Sequence, residues 1–590
     1  MAKSAVKKRL NIWPDRERPT PASSFSLLSR LVGIETEYGL YLGKIKSPET
    51  EHNFSAFDIF DRLVPWLKKR LPVASSSRDL YRVFLANGAC IGVETSANHR
   101  DRSGLIEVAT PECRSPLELI AYQTVLDGWM IDSLRELHPE SDARWLKNSS
   151  DAQGVTYGQH ENYEVRIASG WRLMMWRIGL LVMLPMLGLY RTLAAVATIF
   201  FMACSKPFIV RLKSSRDLES VQIKGTKGSS EHLFHSKVEP WMLPLARGLR
   251  WIHWPVAIYF HGLVWMFAMV PHRRWMGAFL ASRSIIEGSG HIDRRGRFWL
   301  SARASQINSE IGFGRYWNES PMFMTGHWLR NLLADRTWSF RAWREMFNPR
   351  QRIQIALGDS TPNERAQYLR VSTTSLVFDL VESGRTFHLP RLKSVLRSLK
   401  AIATDGSLLR TVGDRRGVVW TAIDLQRQYA EAARLMISQL QSSTPVSRTE
   451  EAKNSLAVWQ ETLDRLQESE NDTRAQKWLL GRVDWFSKRW LMDRSVPQAS
   501  WAMLKKIDLK FHEMDSRGYF RQLIRALDIP QMIDSVELDR ASRMPPSNSP
   551  AIRRAYLIRE FADHYDDFLV DWNEVVWTDE HGVLVRVPCL

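Results

Sequence analysis

Residues 32–40 read Val-Gly-Ile-Glu-Thr-Glu-Tyr-Gly-Leu, and the rest of the chain can be placed relative to them. Apolar or hydroxyl-bearing side chains alternate with Glu35 and Glu37, and a period of two predicts a strand with two unlike faces. Two carboxylates side by side repel each other unless a cation or a basic partner lies between them. Because Mg²⁺ takes carboxylate oxygens and substrate phosphates, this strand is a candidate platform for metal and nucleotide. A strand with a solvated face is the alternative.

The composition is that of a globular protein with more than one domain: 590 residues, 44% hydrophobic and 25% charged. The net charge of +17 admits an anionic partner. The basic residues are spread along the chain without a dense patch or a recognisable module, so we expect no nucleic acid partner. Four cysteines without a CxxC pair are typical of a reducing, cytoplasmic compartment. Residues 1–28 are basic and polar, and we expect a flexible arm.

Several further elements follow from local patterns. Residues 81–94 predict two strands around Asn87-Gly88, a strong hairpin signal. Residues 105–110 predict another strand, and Pro116 begins a helix that runs to about Leu137. A polar loop from residue 147 leads into a strand in which His160, Glu161 and Asn162 stand in a row. This row is a candidate site, and a structural role for the histidine is the alternative.

Two long apolar segments interrupt the globular pattern. Residues 178–204 carry one charge, Arg191, and residues 251–271 carry only two histidines near neutrality. Both are long enough to cross about 30 Å of hydrocarbon. A charge in the middle of a span costs roughly 2.5–3.5 kcal/mol, and basic residues on all flanks give no clear orientation. Membrane contact through these segments and a buried helical hairpin therefore remain alternatives.

Ten segments, in order along the chain, resemble the family of Pup ligases and Pup deamidase/depupylases, the glutamine-synthetase-like proteasome accessory factors. These enzymes attach the prokaryotic ubiquitin-like protein Pup to lysines of other proteins or remove it. The resemblance covers nearly the whole chain except about 171–275. The most specific motifs are Tyr-Gly-x-His-Glu-Asn-Tyr at 157–163, Gly-Asp-Ser at 358–360 and Thr-Thr at 373–374.

The resemblance implies an α+β, glutamine-synthetase-like fold in which helices lie outside a curved antiparallel sheet. Its catalytic domain would span 29–545 and contain a hydrophobic helical insertion at 171–275. A small α/β domain would follow at 546–590. ATP and Mg²⁺ would bind on the concave face of the sheet.

The resemblance also implies roles for individual residues. Glu35 and Glu107 match metal ligands, and we assign His160 to the same metal site. Nucleotide contacts are expected at Thr110, Trp572 and Arg303.

The strand after Asn87-Gly88 departs from the family pattern. The family expects Arg, Tyr and Asp at alternate positions, where this chain has Cys90, Gly92 and Glu94. Glu94 keeps a carboxylate that can act as the catalytic base. The loss of the other two side chains leaves open whether the site is rearranged or catalytically weakened.

The direction of the reaction has to be inferred from small differences. The ending at 583–588 resembles the deamidase/depupylase branch, whereas the short connection before the hairpin and residues 110–113 resemble the ligases. We favour an ATP/Mg²⁺-dependent hydrolase that cleaves the amide or isopeptide bond at the C-terminal Gln or Glu of a Pup-like tag, with tagged proteins as its substrates. A ligase that joins the tag to substrate lysines is one alternative. A catalytically weakened, membrane-associated scaffold that binds the tag is another.

Overall fold

The computed structural model describes residues 26–41, 55–95, 104–139, 142–214, 253–334, 340–495 and 500–589, apart from 153, 155, 156, 387, 566 and 580. The strands are β1 Val32–Tyr41, β2 Val73–Ser76, β3 Arg82–Leu85, β4 Cys90–Thr95, β5 Gly104–Ala109, β6 Arg144–Leu146, β7 Gln159–Arg166, β8 His291–Ile292, β9 Phe298–Trp299, β10 Ser309–Gly312, β11 Pro321–Met324, β12 Arg350–Ile355, β13 Val412–Gly413, β14 Val419–Trp420, β15 Leu569–Val570, β16 Glu574–Thr578 and β17 Leu584–Pro588. The helices are α1 Ala56–Lys68, α2 Pro116–Leu137, α3 Gly170–Ser214, α4 His253–Ala268, α5 Val270–Ser282, α6 Ser284–Glu287, α7 Ala302–Gln306, α8 Gly326–Ala334, α9 Arg341–Glu345, α10 Glu364–Glu382, α11 Val395–Ala403, α12 Ala422–Leu440, α13 Val446–Glu468, α14 Thr473–Leu479, α15 Asp484–Asp493, α16 Trp501–Phe511, α17 Tyr519–Ala526, α18 Ser535–Arg543 and α19 Ala551–Phe561.

A 13-stranded sheet organises the molecule, with the strand order β10-β11-β12-β7-β1-β5-β4-β3-β2-β15-β16-β17 and β6 paired with β1. The pairs are antiparallel except β10 with β11 and β15 with β2. The predicted strand at 32–40 is thus confirmed as β1, and it lies between β7 and β5. The alternation in its sequence separates a polar face of the sheet from a face that packs against helices.

The Asn87-Gly88 hairpin is confirmed, with Phe84 of β3 opposite Cys90 of β4. Gly88 has φ +91°, a region that side chains other than glycine rarely adopt. A Cβ at Gly88 would also lie 2.7 Å from the Cβ of Ala551. Glycine is therefore required here by backbone geometry and by the close approach of α19.

The C-terminal strands belong to the same sheet as the rest of the chain. Leu569 and Val570 of β15 pair in parallel with Ser75 and Ser76 of β2. The strands predicted within 546–590 are present, but they extend the main sheet and share its core. The boundary at 546 therefore marks a connection along the chain rather than a second sheet.

Helices cover the apolar face of the sheet, and α10 lies at the centre of this layer. All of its residues from 366 to 381 are buried, as expected for a core helix. The first described residues join this layer, since Leu27 and Leu28 are buried and the Leu28 N–H donates to Asp379. The flexible arm predicted for 1–28 is therefore wrong for its last residues, and residues 1–25 lie outside the described residues.

Candidate active site

Four carboxylates from three adjacent strands lie on one face of the sheet. Glu37 of β1 pairs with Glu107 of β5, which also pairs with Gly92 of β4. Paired residues of an antiparallel ladder project to the same face, and side chains two residues apart share that face. Glu35 and Glu94 therefore lie on the same side as Glu37 and Glu107. We call this group of four the acidic face.

Glu35 is held by two side chains of β12. The Arg352 guanidinium donates to it over 2.6 Å, and the Gln354 amide donates over 2.9 Å. Burial by itself would raise the pKa of Glu35, but the charges of Arg352, His160 and Arg82 outweigh it and lower that pKa. Glu35 is therefore ionised at neutral pH and available as a ligand for a cation.

Glu37 is surrounded by donors. It accepts the backbone N–H of Gly158 over 2.9 Å, and its carboxylate lies 3.5 Å from Nε2 of His160. Burial opposes ionisation, but hydrogen bonds from His160 and Glu94 and the charges of His160 and Arg303 lower the pKa of Glu37 to about 2. Two carboxyls can share a hydrogen bond only when one of them carries a proton. The carboxyls of Glu37 and Glu94 thus lie within hydrogen-bond reach of each other.

Glu107 behaves in the opposite way. The pKa of Glu107 is raised to about 7. Burial is the largest cause, the negative charge of Glu35 adds to it, and the charge of Arg82 opposes both. Arg82 donates to Glu107 over 2.9 Å. A Cβ at Gly92 would lie 3.2 Å from Nε of Arg82 and 3.0 Å from the carbonyl oxygen of Tyr81. The glycine on β4 thus leaves room for the arginine that partly neutralises Glu107.

Two of the residues predicted to contact nucleotide, Thr110 and Arg303, form hydrogen bonds within the protein. The Thr110 hydroxyl accepts the backbone N–H of Ile34 over 3.0 Å and is buried, so it fixes the start of β1 against β5. Arg303 donates through Nε to the Ala356 carbonyl over 3.0 Å and through its backbone N–H to Asp359 over 2.9 Å. Arg303 is close enough to lower the pKa of Glu37, and its role toward nucleotide stays a prediction.

Trp572 lies at the β3 end of the acidic face. Its ring packs edge-on against Phe84, with centroids 5.2 Å apart, and the Arg554 guanidinium lies 4.8 Å from its ring centroid. Phe84 is opposite Cys90, whose thiol is uncharged because burial raises its pKa to about 12. An aromatic residue and a guanidinium therefore stand next to the positions at which the strand departs from the family pattern.

The acidic face offers oxygen ligands of the kind that Mg²⁺ takes. Carboxylate oxygens are the ligands that this ion prefers, and a cation would relieve the repulsion by Glu35 that, after burial, raises the pKa of Glu107. In the described part of the chain, no three His, Cys, Asp or Glu side chains converge as a metal cluster. Mg²⁺ usually takes one or two protein carboxylates and fills its shell with substrate phosphates and water, so the donor set fits a metal that arrives with nucleotide.

The row of His160, Glu161 and Asn162 is divided between the two faces of β7. His160 is paired with Glu35 and lies on the acidic face. Glu161 lies on the opposite face and accepts two hydrogen bonds from Arg283, of 2.7 and 2.9 Å, where both side chains are fully buried. Glu161 therefore holds the sheet to its helices and takes no part in a metal site.

The basic partners of the acidic face were not predicted from the sequence. Arg82 could have been found, because the register of the Asn-Gly hairpin places it opposite Gly92. Arg352 and Gln354 alternate on β12, but no local pattern shows that this strand lies beside β7. Its neighbours depend on the strand order, which comes from distant parts of the chain.

Comparisons with known proteins extend this picture. The sequence model of the family described as Pup-ligase protein matches residues 30–576. The chain belongs to the Pup-ligase family. Curated Pup–protein ligases of Acidimicrobium ferrooxidans and Kribbella flavida are 23% and 22% identical to it, and each alignment covers 95% of this chain and 96% of the relative.

Solved structures of a Pup ligase share the fold. A complex between Pup and its ligase PafA matches with a TM-score of 0.60 at 19% identity, over 95% of this chain and 89% of that one. PafA in complex with ADP matches with a TM-score of 0.54 at 17% identity, over 94% and 92%. The family resemblance and the α+β, glutamine-synthetase-like fold class inferred from the sequence are thereby confirmed.

Proposed function

We propose that the protein is an ATP-dependent ligase that joins the C-terminal glutamate of a Pup-like tag to lysines of substrate proteins. The family match over residues 30–576 and the two curated relatives named Pup–protein ligase support this direction. The depupylase activity favoured from the sequence ending is not confirmed. The neighbouring structures, one with Pup and one with ADP, support a tag and a nucleotide as ligands.

The proposed reaction has two steps. The γ-phosphoryl group of ATP moves to the tag's C-terminal glutamate side chain, which releases ADP and forms an acyl phosphate. The ε-amine of a substrate lysine then attacks the acyl carbon, forms the isopeptide bond and releases phosphate. The amine must lose a proton, so a base is needed beside the acyl carbon.

The acidic face is the observation that carries this proposal. Glu35 and Glu107 would hold Mg²⁺, which would offset the negative charge of the phosphates. The lowered pKa of Glu37 keeps this carboxyl ionised, and a hydrogen bond links it to Glu94. Such a pair can accept and pass on a proton, which supports the assignment of Glu94 as the base.

We further propose that Arg303 and Trp572 flank the nucleotide at the two sides of the acidic face. The charge of Arg303 lowers the pKa of Glu37. Trp572 packs against Phe84, which is opposite Cys90 on the neighbouring strand. The partners would be a Pup-like tag and its target proteins in the cytoplasm, as part of a route to proteasomal degradation.

A mass-spectrometric assay tests the direction of the reaction. The protein is incubated with ATP, Mg²⁺, a tag that ends in glutamate and an acceptor protein. Ligation adds the mass of the tag minus one water to the acceptor, and omission of ATP or acceptor abolishes the product. Two parallel incubations contain a tag that ends in glutamine or an acceptor that already carries the tag. Conversion of the glutamine to glutamate or release of the tag would instead establish a hydrolase, and tag binding without conversion would establish a scaffold.

A further inference from the structure

The apolar insertion forms an antiparallel helical hairpin on the surface of the domain. The Tyr259 hydroxyl of α4 donates to the Gly179 carbonyl of α3 over 3.1 Å, and the rings of Trp171 and Phe267 lie 6.3 Å apart. A Cβ at Gly179 would lie 2.3 Å from a methyl carbon of Leu263, so the glycine allows the two helices to touch. The hairpin is therefore a packed unit.

One face of α3 is fixed to the domain. Trp176, Leu180, Met183 and Leu187 are fully buried, and their spacing of three or four residues defines a single helix face. The Trp176 indole donates to the carbonyl of Met346 over 2.9 Å. The attachment continues for about 16 Å along α3, at 1.5 Å per residue.

Arg191, the charge that opposed a membrane span in the sequence, lies on this attached face. Its side chain is 8% exposed, and its guanidinium donates to the Leu332 carbonyl over 3.2 Å. The guanidinium also lies 4.4 Å from the ring centroid of Phe340. The cost of a charge in hydrocarbon therefore does not apply to the opposite face of the helix.

That opposite face carries large, exposed apolar side chains from residue 171 to residue 199. We call it the hairpin outer face. Isolated exposed apolar residues are ordinary, but a continuous stripe marks a binding surface. Its large side chains are Trp171, Met174, Ile178, Leu181, Val182, Leu189, Leu193, Val196 and Ile199 of α3, with Trp254, Ile258, Trp265 and Met266 of α4.

Arginines and tryptophans meet at one end of the hairpin outer face. The Arg172 guanidinium lies 5.4 Å from the Trp171 ring centroid, and that of Arg273 lies 4.3 Å from the Trp265 centroid. Tryptophan and arginine together are typical of the headgroup layer of a membrane. Two copies of this face would bring like charges together, whereas anionic headgroups would complement them.

The attachment of the hairpin along one side favours a position in the plane of a membrane over a span. Of the described helices, one is apolar and long enough to span, Gly170–Ala197, or two if the pair formed by α4 and α5 counts as a span. That pair bends by 78° at its break, and α5 enters the core with Met276 and Phe279 fully buried. A spanning α3 would carry the backbone carbonyls of Met346 and Phe347, bound to its inner face, into hydrocarbon.

We propose that the hairpin outer face binds an anionic lipid bilayer surface, with α3 and α4 lying parallel to the membrane plane. The outer residues would enter the boundary between headgroups and acyl chains, and Arg172 and Arg273 would contact the headgroups. The attached domain would then act at a membrane surface. This inference concerns binding to lipid and does not depend on which reaction the acidic face catalyses.

Flotation with vesicles tests the proposal with the full chain. We expect binding to vesicles of phosphatidylglycerol and phosphatidylcholine, and weaker binding to phosphatidylcholine alone. The triple variant Ile178→Glu, Leu181→Glu and Leu189→Glu should bind at least roughly tenfold more weakly, because three apolar side chains no longer enter the bilayer. These positions are exposed, so the thermal unfolding profile should be kept, which circular dichroism verifies.

A matched control uses exposed apolar residues elsewhere: Leu409→Glu, Val446→Glu and Val536→Glu. This variant carries the same added charge and should bind vesicles like the unchanged protein. Equal losses in both triple variants, or no vesicle binding by the unchanged protein, would overturn the proposal. A dimer that forms without lipid and is lost only in the Ile178, Leu181 and Leu189 triple variant would also overturn the proposal, because the hairpin outer face would then bind a second copy.

Two further measurements separate an in-plane helix pair from a span. Arg172→Glu with Arg273→Glu should remove the preference for anionic vesicles. Alkaline carbonate should extract the bound protein from vesicles, since it releases proteins held at the surface. Retention after carbonate would show a span and contradict the in-plane geometry.

Discussion

Glu37 and Glu107 lie directly opposite each other on β1 and β5, yet their pKa values are about 2 and about 7. Burial acts on both carboxyls, so the difference comes from their partners. Glu37 has His160, Glu94 and the Gly158 N–H, whereas Glu107 has the repulsion of Glu35 and one arginine. The acidic face thus combines a permanent anion with a carboxyl that exchanges its proton near neutral pH.

Stability should depend on pH through Glu107. Its pKa rises from 4.5 to about 7 on folding, so its contribution is fully present below 4.5 and is lost as the pH rises through 7. The shift corresponds to a free energy on the order of 3 kcal/mol. Glu107→Gln cannot ionise, so its Tm relative to the unchanged protein should be higher at pH 8 than at pH 5.

Thermal unfolding at the two pH values, in chelator and without nucleotide, measures this effect. Glu468→Gln on the exposed surface of α13 is the control and should leave the pH dependence unchanged. A Tm difference between Glu107→Gln and the unchanged protein that is constant with pH would contradict the raised pKa.

Binding of Mg²⁺ with ATP should strengthen as the pH rises, because the metal competes with the proton of Glu107. With a pKa of about 7, the ionised fraction grows roughly tenfold between pH 6 and pH 8. Calorimetric affinity for Mg·ATP should rise by about that factor in the unchanged protein. The rise should be absent in Glu107→Gln, whereas ATP affinity in chelator should be similar in both proteins.

Glu94 can be separated from the binding groups by kinetics. If it is the base, Glu94→Gln should lower kcat roughly 100-fold or more, whereas Glu94→Asp should retain most activity. Mg·ATP affinity should change little, since Glu94 is neither metal nor nucleotide ligand in this scheme. The assay is single-turnover ligation followed by mass spectrometry. Full activity of Glu94→Gln would remove it from the mechanism.

Local patterns predicted the central strands, the hairpin and the helix 116–137, because alternation, Asn-Gly and an N-terminal proline act over a few residues. The family motifs supplied the fold class. The same patterns could not show that β15 joins β2, since this pairing links residues 569–570 with 75–76. Tertiary pairing over such a distance leaves no local signal in either segment.

The candidate site, like the fold, was predictable only where its residues follow local patterns. The carboxylates of β1 and β5 follow from alternation and motif, but their arginine partners depend on strand order and register. The contact made by Arg191 could not be predicted, because hydropathy counts a charge without its direction, and the side chain donates to the Leu332 carbonyl. Glu161 was grouped with His160 by adjacency in sequence, although neighbours on a strand face opposite sides.

The ion pair of Arg283 and Glu161 allows the last prediction. Both side chains are fully buried, so removing one partner leaves an uncompensated charge in the core. Arg283→Met should lower the free energy of unfolding by about 3–5 kcal/mol. Arg352→Met breaks the pair with Glu35, but its arginine is 43% exposed, and the loss should stay below about 1 kcal/mol.

Urea unfolding at pH 7.5 in chelator compares the two variants directly. Glu161→Gln keeps a hydrogen-bond acceptor for Arg283 and should leave Mg·ATP affinity unchanged, because Glu161 faces away from the acidic face. Loss of Mg·ATP affinity in a stably folded Glu161→Gln protein would instead make this carboxylate a ligand. Equal destabilisation by Arg283→Met and Arg352→Met would contradict the difference in burial.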